Sequence, residues 1–136
     1  MLITEATFIA REAGGYATAP GIYSQDQIDA WRKVTTAVHG KGGYIFSQLW
    51  ALGRANFAGG GAQLLEDVKT VAPSPIGLSD DSVPAELSLD DIQRYIGHYK
   101  QAASNAHVAG FDGVEVHGAN GCESGSPAPL EKLAVR

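Results

Sequence analysis

The stretch Gly113-Val114-Glu115-Val116-His117-Gly118-Ala119-Asn120-Gly121 gathers more reactive chemistry than any other part of the chain. It reads as a short strand running into a glycine-rich turn. Alternation along a strand puts Glu115 and His117 on one face and Val114 and Val116 on the other. His117 and Asn120 then stand just past the C-terminal strand end, where parallel α/β folds place their reacting groups. An imidazole and a carboxamide at that place are two hydrogen-bond donors able to converge on one oxygen and stabilise negative charge developing on it. Gln48, near the end of the apolar run Tyr44-Ile45-Phe46-Ser47-Gln48-Leu49-Trp50, adds a donor and acceptor pair suited to the edge of a planar heterocycle.

Each of these residues also has a plainer reading. A lone histidine at a strand end commonly serves as a core or capping residue, Asn120-Gly121 is a turn signal in its own right, and Gln48 alone is a polar residue closing a sheet end. Glu115 and His117 are two apart on one face and could be metal ligands, but no third ligand stands at a recognisable spacing, so no metal site is expected. His98 and His107, nine apart on a helix, fall on opposite faces and read as surface residues. Gly59-Gly60-Gly61 is not followed by the Lys-Ser/Thr of a phosphate loop, and Gly40 to Gly43 precedes a strand instead of a helix.

The elements that must position these groups alternate along the chain. Leu2 to Ile9 is rich in β-branched and aromatic residues and predicts a first strand. Ser24-Gln25-Asp26-Gln27 has the spacing of a capping box, and Ile28, Trp31, Val34 and Val38 form one apolar stripe, so a helix is predicted from about Gln25 to His39, stopped by Gly40-Lys41-Gly42-Gly43. The run from Tyr44 to Trp50 suits a strand covered on both faces. From Ala51 to Leu87 no period holds, and glycines and prolines break any regular element, which predicts a long functional loop. Ser88-Leu89-Asp90-Asp91 caps a second helix with the stripe Ile92, Tyr95, Ile96, Tyr99, Ala102, Ala103 and Ala106, ended by Gly110, and the strand carrying His117 follows. Strand, helix, strand, helix, strand implies parallel pairing through right-handed crossovers.

Composition narrows the function further. The 136 residues include 17 glycines and one cysteine, with 10 Lys+Arg against 15 Asp+Glu for a net charge of -5. That balance denies the wide positive face that nucleic acid requires. A single cysteine makes neither an internal disulfide nor a thiolate cage, and Met1 is not followed by a signal-peptide pattern or a membrane-spanning run, so a cytoplasmic protein without a membrane partner is expected.

Taken in order, Leu2-Ile3-Thr4-Glu5-Ala6-Thr7-Phe8-Ile9, Gly14-Gly15-Tyr16, Pro20-Gly21-Ile22-Tyr23-Ser24, Gln48-Leu49-Trp50-Ala51-Leu52-Gly53-Arg54 and the run from Gly113 to Gly121 resemble the old yellow enzyme family. The resemblance implies an FMN-dependent (β/α)₈ barrel, an oxidoreductase that reduces the C=C bond of α,β-unsaturated carbonyls such as enones and enals, with NAD(P)H reducing the flavin. Carried over by position, Ala6 resembles the residue whose backbone lies against the flavin, and Gln48 the one that holds its pyrimidine edge. His117 and Asn120 resemble the pair that binds the substrate carbonyl oxygen, His117 standing beside the flavin as well. The family's usual proton donor is a Tyr two residues after the Asn, where this chain has Cys122, and nothing after Gly121 resembles the family. The expected division is therefore a partial barrel over 1–121 and a divergent tail over 122–136.

A (β/α)₈ barrel takes about 250 residues, and this chain signals three strands and two main crossover helices, the second to fourth strands of the family barrel. The flavin phosphate site, built in such barrels by the loops after the seventh and eighth strands, has no counterpart. The resemblance thus implies a truncated, inactive relative that does not itself hold FMN. Two alternatives stand beside it. One is an incomplete gene model of an active ene-reductase or isomerase, such as the fungal enzymes of ergot alkaloid biosynthesis that act on chanoclavine aldehyde; the other is a non-enzymatic fragment docking on a full-length homologue. For the chain as it stands, the barrel-facing side of the sheet, including Ala6, Phe8 and the Glu115-His117 face, is expected to meet water.

Overall fold

The computed structural model describes residues 1–56, 68–78 and 83–119. Strand β1 (Leu2–Phe8) is followed by helix α1 (Gln25–His39), β2 (Ile45–Trp50), a 3-10 turn (Gly53–Ala55), the short strands β3 (Val71–Ala72) and β4 (Ala85–Glu86), helix α2 (Leu89–Val108) and β5 (Gly113–Val116). The main sheet has the order β1-β2-β5 with both pairings parallel. The described residues thus form one parallel three-stranded sheet whose strands are joined by the two crossover helices, the arrangement expected of a section of an α/β barrel.

Both helices begin where their side chains satisfy the first orphan N–H groups. Ser24 accepts from the Gln27 N–H while the Gln27 side chain reaches back to the Ser24 N–H, and Ser88 and Asp91 repeat the device at α2. The stripe of α1 differs from expectation at one place: Val34 is 42% exposed and Thr35 is buried. Thr35 lies seven residues after Ile28, almost two full turns, and so sits nearer the middle of the buried stripe than Val34 does. Its hydroxyl donates to the Ala109 carbonyl over 2.7 Å and fastens α1 to the end of α2. Asn105, also buried within the α2 stripe, donates to the Ile22 carbonyl at 2.8 Å. The core beneath the sheet contains Ile22, Ile28, Ile45, Leu49, Tyr95, Ala102, Ala106 and Phe111.

Two further findings differ from the sequence reading. The stretch from Ala51 to Leu87 is not wholly irregular, since it holds the 3-10 turn and the parallel pair β3-β4; two-residue strands are too short to show a period. Phe8 does not meet water. It is 4% exposed, stacked on Trp50 with ring centroids 4.9 Å apart, and packed so closely on Gly14 that a Cβ there would lie 2.7 Å from its ring. The loop after β1 folds back over the strand end, its Gly21 bridging to Phe8. Gly59-Gly60-Gly61 lies outside the described residues. Among those described, no helix is long and apolar enough to cross a membrane.

Candidate active site

In-register parallel partners share a face of a sheet, so the pairings Ala6 with Gln48 and Gln48 with Glu115 lay these three residues in one row across the sheet. The next row toward the C-terminal ends is Phe8 and Trp50, with His117 beyond Val116 completing it. The opposite face, with Thr7, Ser47 and Leu49, is buried against the helices. The site face is therefore the one that curves inward in a closed barrel.

Local irregularity sets the first row. Between Ile3 and Ala6 the register slips, with two residues of β1, Thr4 and Glu5, opposing one of β2, Ser47, a β-bulge that would orphan a ladder N–H. The Thr4 hydroxyl takes over as acceptor for the Gln48 N–H at 3.0 Å. The bulge thereby brings Ala6 opposite Gln48 and leaves only a methyl group beside the carboxamide. On the other side, the Gln48 Nε2 donates to the Glu115 carboxylate over 2.6 Å.

His117 is positioned by backbone and by rings. Its N–H donates to the Leu49 carbonyl at 3.0 Å, extending the ladder one residue past β5. Its imidazole packs against Trp50 with centroids 5.8 Å apart at 41°, and Trp50 also meets Phe8 and, at 5.9 Å, Tyr16. The Tyr16 hydroxyl donates to the Ala55 carbonyl at 3.4 Å, tying this aromatic stack to the 3-10 turn after β2. Behind the sheet, Asp112 accepts from the Ile45 N–H at 2.8 Å and from His39 at 3.0 Å, locking the start of β5 to β2. The His39 and Ile45 donors hold the Asp112 carboxyl below the ordinary carboxylate range.

Of the residues singled out in the sequence, Ala6, Gln48 and His117 come together on the inward face. Asn120 and Cys122 lie outside the described residues, as does the tail 122–136. Glu115, weighed in the sequence as a metal ligand, is engaged by Gln48, and among the described residues no three His, Cys, Asp or Glu side chains converge to hold a metal. The histidines of α2 are not equivalent: His107 is exposed, whereas His98 pairs with Glu12 at 2.7 Å beside Arg94. Sequence reasoning missed Trp50 and Tyr16 as the wall that seats His117. Their only signal was their place beside Gln48 and Gly15, and nothing local says that β1, β2 and β5 end together.

An acceptor and donor pair flanked by a methyl group, one row below an imidazole, fits the edge of a flat heterocycle with alternating N–H and C=O groups. The residues present thus fit the pyrimidine side of a flavin. No lysine or arginine occurs in β1, β2 or β5, so these strands supply no cation for a phosphate.

Comparison with known proteins identifies the family. The model of the NADH:flavin oxidoreductase / NADH oxidase family matches residues 1–122. Chanoclavine-I aldehyde reductase of Penicillium roqueforti is 52% identical, over 89% of this chain and 33% of its own length. The Epichloe festucae var. lolii protein named "Probable inactive reductase easA" is 50% identical, over 89% and 32%. The old yellow enzyme homologue of Zymomonas mobilis superposes with a TM-score of 0.76 at 42% identity, over 89% of this chain and 36% of that one. The chain spans about a third of the length of the curated relatives it matches. With the match running through all three strands of the main sheet, this chain belongs to the NADH:flavin oxidoreductase family, the old yellow enzymes.

Proposed function

We propose that the inward face of β1, β2 and β5 is the flavin-edge and carbonyl-binding side of an FMN-dependent ene-reductase site, and that the 136-residue chain has no such activity on its own. The observation that carries the reading is the row Ala6, Gln48, Glu115 with His117 just above it, on the face turned away from the helices. Ala6, Gln48 and His117 hold the flavin ring, and His117 with Asn120 binds the substrate carbonyl oxygen. FMN, when bound, supplies the hydride to an enone or enal, with NAD(P)H as the source of electrons. His117 and Asn120 donate hydrogen bonds to the carbonyl oxygen as charge develops on it, which lowers the barrier. By sequence, residues 1–121 are assigned to the barrel segment and 122–136 to a divergent C-terminal tail.

The absence of activity rests on the phosphate. Desolvating a phosphate dianion without partners is costly, and the strands of the site offer it none. The expected location is the cytoplasm, with no nucleic-acid or membrane partner. A second reading, a segment of an active reductase or isomerase three times as long or one docking on a full-length homologue, is favoured by the 52% identity to a chanoclavine-I aldehyde reductase.

Titration of the purified chain with FMN tests the main reading. Flavin fluorescence is expected to stay unchanged through the low micromolar range, and an enone is expected to cause no NADPH oxidation. Saturable quenching in that range with enone-dependent turnover would overturn it.

A further inference from the structure

An isolated carboxamide on an open sheet face has two nearly equal orientations, related by exchange of its oxygen and nitrogen. Gln48 does not have that freedom. Register places Glu115 directly across from it, and the two side chains meet at 2.6 Å, short for an N–H···O bond. An ionised carboxylate only accepts hydrogen bonds, so the group facing Glu115 must be the Gln48 Nε2. The Oε1 then faces away from the carboxylate, and with the N–H trans to that oxygen given to Glu115 the second N–H lies beside it. The neighbour on the other side of the row is Ala6, whose methyl group competes for neither.

We infer that Glu115 is a positioning residue for ligand recognition: it fixes the Gln48 carboxamide so that an acceptor and a donor stand side by side, ready for a ring edge carrying an N–H next to a C=O. The chemical class is an imide or uracil-like edge, which includes the pyrimidine ring of flavins. The inference rests on the flavin reading for the identity of the ring and on the geometry alone for the orientation. With Glu115 replaced by glutamine, position 115 presents oxygen or nitrogen equally well, and Gln48 turns freely; the fold is spared because the two side chains have the same shape.

The test uses NMR on the full 136-residue chain, with the Gln48 side-chain amide as reporter and two probes, FMN and its N3-methyl derivative, both at millimolar concentration. The methyl group replaces the ring proton that the Gln48 oxygen would accept. In the wild type, one Gln48 Hε2 proton is expected well downfield of its partner. FMN should shift this pair, and the N3-methyl probe should bind about fivefold to tenfold more weakly, the effect of one hydrogen bond. Glu115→Gln should abolish the downfield shift and bring the two affinities to about the same value; Glu115→Asp, with a shorter reach, should do likewise and serves if the glutamine variant fails to fold. A role confined to stability would leave the affinity ratio unchanged in these variants, and that result would overturn the inference. So would equivalent Gln48 protons in the wild type. A downfield Gln48 proton that neither flavin moves would leave the orientation in place and refute the flavin reading instead.

Discussion

Thr35 is the clearest place to weigh a single interaction in this fold. It is 1% exposed, and its hydroxyl lies 2.7 Å from the Ala109 carbonyl and 3.1 Å from the Arg32 carbonyl. Thr35→Val keeps the shape and the packing but removes the donor. Arg32 sits within α1, whereas Ala109 caps α2 and is itself fully buried, so the variant strips a buried carbonyl of a partner that water cannot replace. Such a loss costs about 1–3 kcal/mol. With an unfolding entropy of roughly 2.1 cal/mol/K per residue, a chain of this size loses about 3–4 °C of Tm per kcal/mol, so the melting temperature should fall by about 3–10 °C. Thermal melts followed by circular dichroism at neutral pH measure it, with Val34→Thr as the matched control. Val34 is the neighbouring position on the exposed side of α1, and the reverse swap there should stay within about 0.5 kcal/mol. A Thr35→Val melt within 1 °C of wild type, or an equal loss at Val34, would refute the assignment of Thr35 to the buried stripe and of its hydroxyl to the link between the helices.

Gly14→Ala should destabilise by about 1–3 kcal/mol, since the added carbon would lie 2.7 Å from the Phe8 ring, which is held from the other side by Trp50; denaturant midpoints read the loss, and pairing with Phe8→Leu should recover part of it. The Ser88 hydroxyl and N–H, with Arg94, hold the Asp91 carboxyl down to about 2. Because that pKa is lower in the folded than in the unfolded chain, Asp91 contributes stability above its ordinary value near 3.8, and the contribution is lost as pH falls toward 2. Asp91→Asn should flatten the decline of stability across that window in acid titrations, and an unchanged slope would count against the α2 capping box. In a barrel completed with the remaining strands of a full-length relative, His117→Ala should slow enone-dependent flavin reoxidation by about 10²-fold or more while sparing flavin reduction by NADPH; equal loss in both half-reactions, resolved by stopped-flow absorbance, would refute the role of His117 at the substrate carbonyl and leave it only that of holding the flavin or the fold.

Some of this protein was legible residue by residue because its causes are local. The capping spacings Ser24 to Gln27 and Ser88 to Asp91 located both helix starts, since a cap is satisfied within one turn. Apolar runs broken by glycine placed β1, β2 and β5 to within a residue or two, and the helix-strand alternation implied parallel pairing. The chemistry of the site was equally local in its residue types: Gln48, His117 and the turn after it stood out before any contact was known.

Tertiary structure decided whatever depends on register and on what covers each face. The bulge between Ile3 and Ala6, compensated by Thr4, brings Ala6 opposite Gln48, and no pattern of hydrophobicity records a one-residue slip. The pairing of β2 with β5 made Glu115 the partner of Gln48, which the sequence could not show because the two are 67 positions apart and meet only across the sheet. Phe8 is dry for a related reason: alternation assigned it to the open face, but the returning loop at Gly14 and the Trp50 ring cover it. A strand's own alternation tells which side a residue is on, and only the neighbours that fold over that side determine whether water reaches it.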